Sequence, residues 1–230
     1  MNKIDLLLQE KRRHSLKEEV SKKEKALLNK GIPIQKIMGF IDFDNLKIMI
    51  NKNVLIPRYE TQEVLHKALE FIGSTHSVLD LCCGSGYIGL TIKQKTGARV
   101  VLSDISDDAI QQTKNNAKAN GLDVQVIKSN MFKSITQKFD VIVSNPPYIP
   151  NGSIIDASVI NNEPDIALFA GEDGNDFYKI IISESEQYLN PNGTIIFEIS
   201  EHNQKYIKMH GFKVLNDINK KPRIAYKTYK

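Results

Sequence analysis

A chain of 230 residues, 41% hydrophobic and 25% charged, has the composition of a soluble globular protein with room for one large domain and a small accessory region. It contains no apolar run of bilayer-crossing length and no signal-peptide core near the N-terminus, so a cytoplasmic protein is expected. The net charge of +4 sits in residues 1–30, with nine Lys or Arg against five Asp or Glu; the other 200 residues balance at 22 against 22, which argues against a body built to hold nucleic acid.

Residues 2–29 read as one or two amphipathic helices. Ile4, Leu7 and Leu8 share a face, and Leu16, Val20, Leu27 and Leu28 continue the apolar positions less regularly. Gly31 and Pro33 end that region. Residues 40–43 and 46–50 flank Asp44-Asn45 and predict a hairpin, which leads through residues 54–58 into a helix over 61–72 closed by Gly73. This divides the chain into a helical N-terminal region (1–36), a β-hairpin linker (37–58) and a large domain (59–230).

From residue 77 the pattern alternates strand and helix. Strands are expected at 78–81, 99–104, 124–127, 139–143 and 194–199, and helices at 87–95, 106–120 and 177–189. Ser106 is placed to cap its helix, and Asn190-Pro191-Asn192-Gly193 to stop the third one. Two short strands near 212–215 and 223–229 close the chain. Repeated βα units imply an α/β fold with a mostly parallel sheet, right-handed crossovers and helices on both faces.

Two loops carry chemistry. Asp80-Leu81-Cys82-Cys83-Gly84-Ser85-Gly86 joins the first strand of the sheet to its helix, and Gly84 and Gly86 let the backbone turn sharply beside a ligand. With Gly89 the loop also matches a dinucleotide fingerprint, so a nicotinamide cofactor stays open at this point. Asp104, ending the second strand, is suited to accept hydrogen bonds from ribose hydroxyls. The adjacent cysteines, Cys82 and Cys83, suit neither spaced metal ligands nor a structural bridge and read as small buried residues. The strand at 139–143 runs into Ser144-Asn145-Pro146-Pro147-Tyr148, where two prolines forbid further ladder bonds. Backbone carbonyls fixed by that corner, the Asn145 side-chain acceptor and an aromatic ring suit a planar group bearing an NH2.

Together these features resemble the class I S-adenosylmethionine-dependent methyltransferases, a Rossmann-like fold with a seven-stranded, mostly parallel sheet. Asn145-Pro146-Pro147-Tyr148 is similar to the motif of enzymes that methylate planar nitrogens, either adenine or the amide of glutamine. Residues 31–39, the hairpin, residues 54–61, the stretch 163–174, Glu198-Ile199 and the Asp217 to Arg223 ending resemble the HemK/PrmC family, which methylates the glutamine of the Gly-Gly-Gln tripeptide in peptide chain release factors. The resemblance implies S-adenosylmethionine as cofactor, with contacts from Asp80, Cys82, Gly84, Gly86, Asp104, Ile105, Asn130, Met131 and Asn145. It implies Asn145, Pro146 and Tyr148 as catalytic residues, with Pro147 and Glu163 also on the substrate side. A monomer acting on a release factor is expected, with the N-terminal region recognising that partner, and with no metal, membrane or direct nucleic-acid contact.

Four features depart from the family pattern: Tyr59 and Gln62 in the linker motif, Asn130 where an aspartate commonly contacts adenine, and a shorter helical N-terminus. Two other readings remain at this stage, an adenine amino-methyltransferase acting on DNA or RNA and a non-enzymatic protein that binds S-adenosylmethionine. The first calls for a basic cleft or an added recognition region, and the second for a broken Asn-Pro-Pro-Tyr motif.

Overall fold

In the computed structural model, which describes residues 2–43 and 45–230, the N-terminal helices are set by their caps. In α1 (Lys3–Arg13) the Asn2 side chain accepts the Asp5 N–H, and three basic residues fill the last turn against the negative end of the dipole. A reciprocal capping box between Ser21 and Glu24 opens α2 (Lys22–Asn29). The two helices are tied by buried Lys11, whose ammonium pairs with Glu24 at 2.6 Å and donates to the Glu19 carbonyl at 2.7 Å. A third helix, α3 (Ile34–Met38), was not expected; it ends at Gly39 with φ 77, and the boundary drawn at residue 36 falls inside it. Strands β1 (Phe40–Phe43) and β2 (Leu46–Met49) form the expected antiparallel hairpin. Asn45 takes the left-handed backbone at φ 63, while Asp44, its partner in the expected turn, lies outside the described residues.

The large domain follows with α4 (Thr61–Leu69), β3 (Ser77–Leu81), α5 (Tyr87–Thr96), β4 (Arg99–Asp104), α6 (Asp107–Ala119), β5 (Gln125–Lys128) and β6 (Phe139–Ser144). Ser106 caps α6 as expected, accepting the Ala109 N–H. Next come α7 (Ala157–Ile160), α8 (Asp176–Glu184), β7 (Leu189–Glu198), α9 (Gln204–Met209), β8 (Lys213–Asn216) and β9 (Pro222–Thr228). The helix expected over 177–189 stops at Glu184 and tightens into a 3-10 turn over Ser185–Tyr188. The anticipated stop at 190–193 instead lies inside β7, where pairing with β6 shifts register. Tertiary contacts override the turn signal: Tyr188 stacks on Phe132 with centroids 4.7 Å apart, and Leu189 pairs with Phe139.

The seven strands lie in the order β5-β4-β3-β6-β7-β9-β8, with β9 antiparallel to both neighbours and β3 to β7 parallel, as the alternation implied. Successive residues feed opposite layers. Val78, Val141, Val143 and Ile196 join the core shared with α4, α5, α6 and the hairpin. Leu79, Ile142, Ile195 and Phe197 join the core under α8 and α9. Among the described residues no helix is long and apolar enough to cross a membrane.

The hairpin docks on α6 through side-chain amides. Asn120 Oδ1 and Nδ2 bond the Lys47 N–H and carbonyl at 3.3 and 3.0 Å, and Asn116 does the same for Met49 at 2.9 and 3.0 Å. Gln112 Oε1 then accepts the Lys52 N–H at 2.9 Å. The spacings match: four residues of helix rise about 6 Å, and two residues of strand advance about 6.6 Å. Every fourth helical amide therefore meets an outward-facing backbone pair of the strand. Asn116 Nδ2 also donates to the Ser85 carbonyl at 2.8 Å, which joins the linker to the glycine loop.

Candidate functional site

The chain leaves β3 towards β4 on one side and β6 towards β7 on the other, so a crevice opens where the strand order reverses. A cavity of about 310 Å³ lies there, walled by the strand-end loops, by Val54, Leu55 and Pro57 of the linker, and by Pro164, Ile166 and Ala167 of the long loop after β6. Of the residues expected at a site, Cys82, Gly84, Asp104, Ile105, Asn130, Met131, Asn145 and Pro147 line it. Asp80, Gly86, Pro146, Tyr148 and Glu163 stand behind that lining.

Asp104 organises the loop between β3 and α5. Its Oδ2 accepts the Gly84 N–H and its Oδ1 the Ser106 N–H, each at 2.9 Å, leaving half of its four lone-pair positions for a ligand's hydroxyls. Burial pushes this carboxyl up, opposed by the N–H groups of Ser106, Gly84 and Ile105. A Cβ at Gly84 (φ 55) would meet nothing within 4 Å, whereas one at Gly86 (φ 83) would press on Thr113 at 2.9 Å. Gly89 has a packing role, because a Cβ there would lie 2.6 Å from Leu102. Beneath the loop, fully buried Asp80 accepts the Gly89 N–H through Oδ2 at 2.8 Å, and its Oδ1 has no partner. Burial pushes this carboxyl up to about 7, against the pull of that N–H.

These groups separate the two cofactor readings. A pyrophosphate binds the free N–H groups in the first turn of a helix, but in α5 the Gly89 N–H is already held by a carboxylate. Two carboxyls beside an apolar cavity fit a nucleoside that carries positive charge. S-adenosylmethionine, with its ribose and sulfonium, is such a ligand. Cys82 (φ 62) and Met131 (φ 51) both hold the left-handed backbone at strand ends, with their sulfurs 3.8 Å apart, so local strain gathers at this cavity. Burial first, then the Asp80 and Asp104 carboxylates, push both cysteine thiols up and keep them protonated.

On the other side of the cavity, the amide of Asn145 is part of a buried chain. Its Nδ2 donates to Thr61 Oγ1 at 3.2 Å, and the Thr61 hydroxyl donates to Glu198 Oε2 at 2.7 Å. The Tyr148 hydroxyl donates to Glu198 Oε1 at 3.3 Å, near Arg223 at 3.7 Å, and Arg223 is held in turn by Asp217 at 3.3 Å. Burial pushes the Tyr148 hydroxyl up, so it remains a donor. Glu163 reaches the linker, where Oε2 accepts the Ile56 N–H at 3.0 Å and Oε1 pairs with Arg58. The long loop also returns beside the motif: Ile149 N–H donates to the Leu168 carbonyl and Ala170 N–H to the Ile149 carbonyl, each at 2.9 Å. Sequence reasoning did not single out Thr61 or Val54; both belong to the linker segment that carried the resemblance.

Residues 60–227 match the methyltransferase small domain family. The chain is 36% identical to a release factor glutamine methyltransferase of Borreliella burgdorferi, over 96% of this chain and 85% of that one. It is 40% identical to a release factor glutamine methyltransferase of Streptococcus pneumoniae, over 73% of this chain but only 61% of that relative's length. In fold it is similar to the 16S rRNA N2 G1207 methyltransferase of T. thermophilus, solved in complex with AdoMet and guanosine. That likeness has a TM-score of 0.61 at 17% identity and covers 83% of this chain and 50% of that one.

Proposed function

Because the chain belongs to the HemK/PrmC family of release factor glutamine methyltransferases, we propose that it methylates the side-chain amide nitrogen of the glutamine in the Gly-Gly-Gln motif of a release factor, with S-adenosylmethionine as donor. The observation that carries this reading is the pairing of a carboxylate-edged nucleoside cavity with Asn145 at its wall. Asp104 would hold the ribose and Asn130 the adenine, by an amide acceptor in place of a carboxylate, between Ile105 and Met131. When bound, the cofactor supplies a methyl group on a positively charged sulfur.

An amide nitrogen is a weak nucleophile, since its lone pair is delocalised into the carbonyl. Asn145 Oδ1 and the Pro146 carbonyl would accept its two N–H bonds, orient it, and stabilise the positive charge that develops on it. Tyr148, anchored through its hydroxyl to Glu198, supports the corner that carries both acceptors. The balanced charge of residues 31–230 and the short N-terminal helices favour a protein partner over a flipped base, acted on by a cytoplasmic monomer without direct nucleic-acid contact.

Mass spectrometry of a purified release factor incubated with enzyme and labelled donor is expected to show one added methyl on that glutamine. Label appearing in DNA or RNA, with release factors unmodified, would establish the adenine alternative instead. Asp104→Ala is expected to weaken S-adenosylmethionine binding by about 1.5–3 kcal/mol, the loss of charge-assisted bonds to the ribose. Unchanged affinity in a calorimetric titration would remove Asp104 from the site.

A further inference from the structure

An amide side chain has an oxygen at one end and an NH2 at the other, and methyl transfer as proposed above needs the oxygen of Asn145 to face the substrate. Nothing in the covalent structure of Asn145 decides between the two orientations, which differ by a half-turn about χ2. The decision comes from behind it. Glu198 is buried with both oxygens engaged, one by the Thr61 hydroxyl at 2.7 Å and the other by the Tyr148 hydroxyl at 3.3 Å, with Arg223 alongside at 3.7 Å. An ionised carboxylate only accepts, so the single hydroxyl proton of Thr61 is committed to it. Thr61 Oγ1 then has only lone pairs to offer its other neighbour. That neighbour must present a donor, and it is Asn145 Nδ2 at 3.2 Å. Asn145 Oδ1 accepts no hydrogen bond among the described residues and is the end left for the cavity.

We infer that Thr61 and Glu198 are positioning residues for methyl transfer: through one directed hydrogen-bond chain they hold the Asn145 amide with its oxygen towards the substrate nitrogen. Thr61 is buried at the start of α4 and Glu198 ends β7, so two rigid elements fix the chain at both ends. The inference also gives the C-terminal residues a task, because Arg223, held by Asp217, keeps the buried Glu198 in its accepting form.

The inference rests on the proposed reaction, so its test has one arm that reads activity and one that does not. Thr61→Val keeps the shape of the side chain and removes the hydroxyl; Thr61→Ser restores it. In the first arm, the side-chain amide protons of Asn145 are followed by 15N NMR. They are expected to exchange slowly in the wild type and in Thr61→Ser and to lose that protection in Thr61→Val. In the second arm, Thr61→Val is expected to lower kcat on a release factor by about a hundredfold, the scale of a misplaced reacting group. The Kd for S-adenosylmethionine is expected to stay within about twofold, Thr61→Ser to recover most of the rate, and Thr61→Val to add nothing in an Asn145→Ala background. A near-wild-type kcat, or a loss that adds in full to that of Asn145→Ala, would overturn the inference. If the wild type leaves every release factor unmodified, the proposed function falls, and the NMR arm alone decides: an unmoved Asn145 amide in Thr61→Val overturns the inference.

Discussion

Asn145→Ala is expected to lower the rate of the methyl-transfer step about 10²–10³-fold, the usual consequence of removing one preorganised group that stabilises developing charge. The reason for so large an effect is timing. In the ground state the substrate amide is neutral and a hydrogen bond to Oδ1 adds little beyond orientation; as the methyl arrives, the nitrogen turns cationic and the same acceptor faces a positive charge. The residue contributes little to cofactor affinity, so the Kd for S-adenosylmethionine is expected to stay close to the wild-type value. Single-turnover measurements at saturating substrates separate the two quantities, and a rate near wild type would exclude Asn145 from the chemistry.

Glu163→Ala is expected to destabilise the protein by about 3 kcal/mol, through the loss of two bonds to a buried charge. The Glu163 side chain is 1% exposed and Arg58 is 36% exposed, so the arginine recovers some hydration while the Ile56 N–H is stranded. The change also releases the linker wall formed by Val54, Leu55 and Pro57, so cofactor affinity is expected to fall with stability. Denaturant unfolding and calorimetric titration of the variant check the two losses together. An unfolding midpoint unchanged from wild type would show that Glu163 is not the clamp between linker and loop.

The sheet was legible because its strands are short apolar runs ended by Asp, Gly or Pro, and local composition suffices to see them. The strand-end residues Asp104 and Asn145 were legible for the same reason, since the fold rule places ligands there. The partners behind them were not. Thr61 meets Glu198 across 137 positions and Glu163 meets Ile56 across 107, and no local pattern encodes such pairs. Thr61 reads simply as the start of a helix, and Gly89 as a third cofactor glycine, although its neighbours Leu102 and Asp80 require it for packing. The short helix α3 lacks the length from which a period is read, and the turn signal at 190–193 yielded to strand pairing with β6.

The amide ladder on α6 has a consequence beyond anchoring. A two-stranded ribbon leaves a row of N–H and C=O groups along its outer edge, the template on which another chain adds a strand. In β2 that edge is met by Asn120 and Asn116, with Gln112 extending the contact to Lys52, so its outward groups are paired with the tips of side chains. A helix bristling with amides satisfies the edge without extending the sheet, and a strand from a neighbouring molecule finds no ladder to continue. Self-association through this ribbon is thereby blocked by the same three residues that hold it in place.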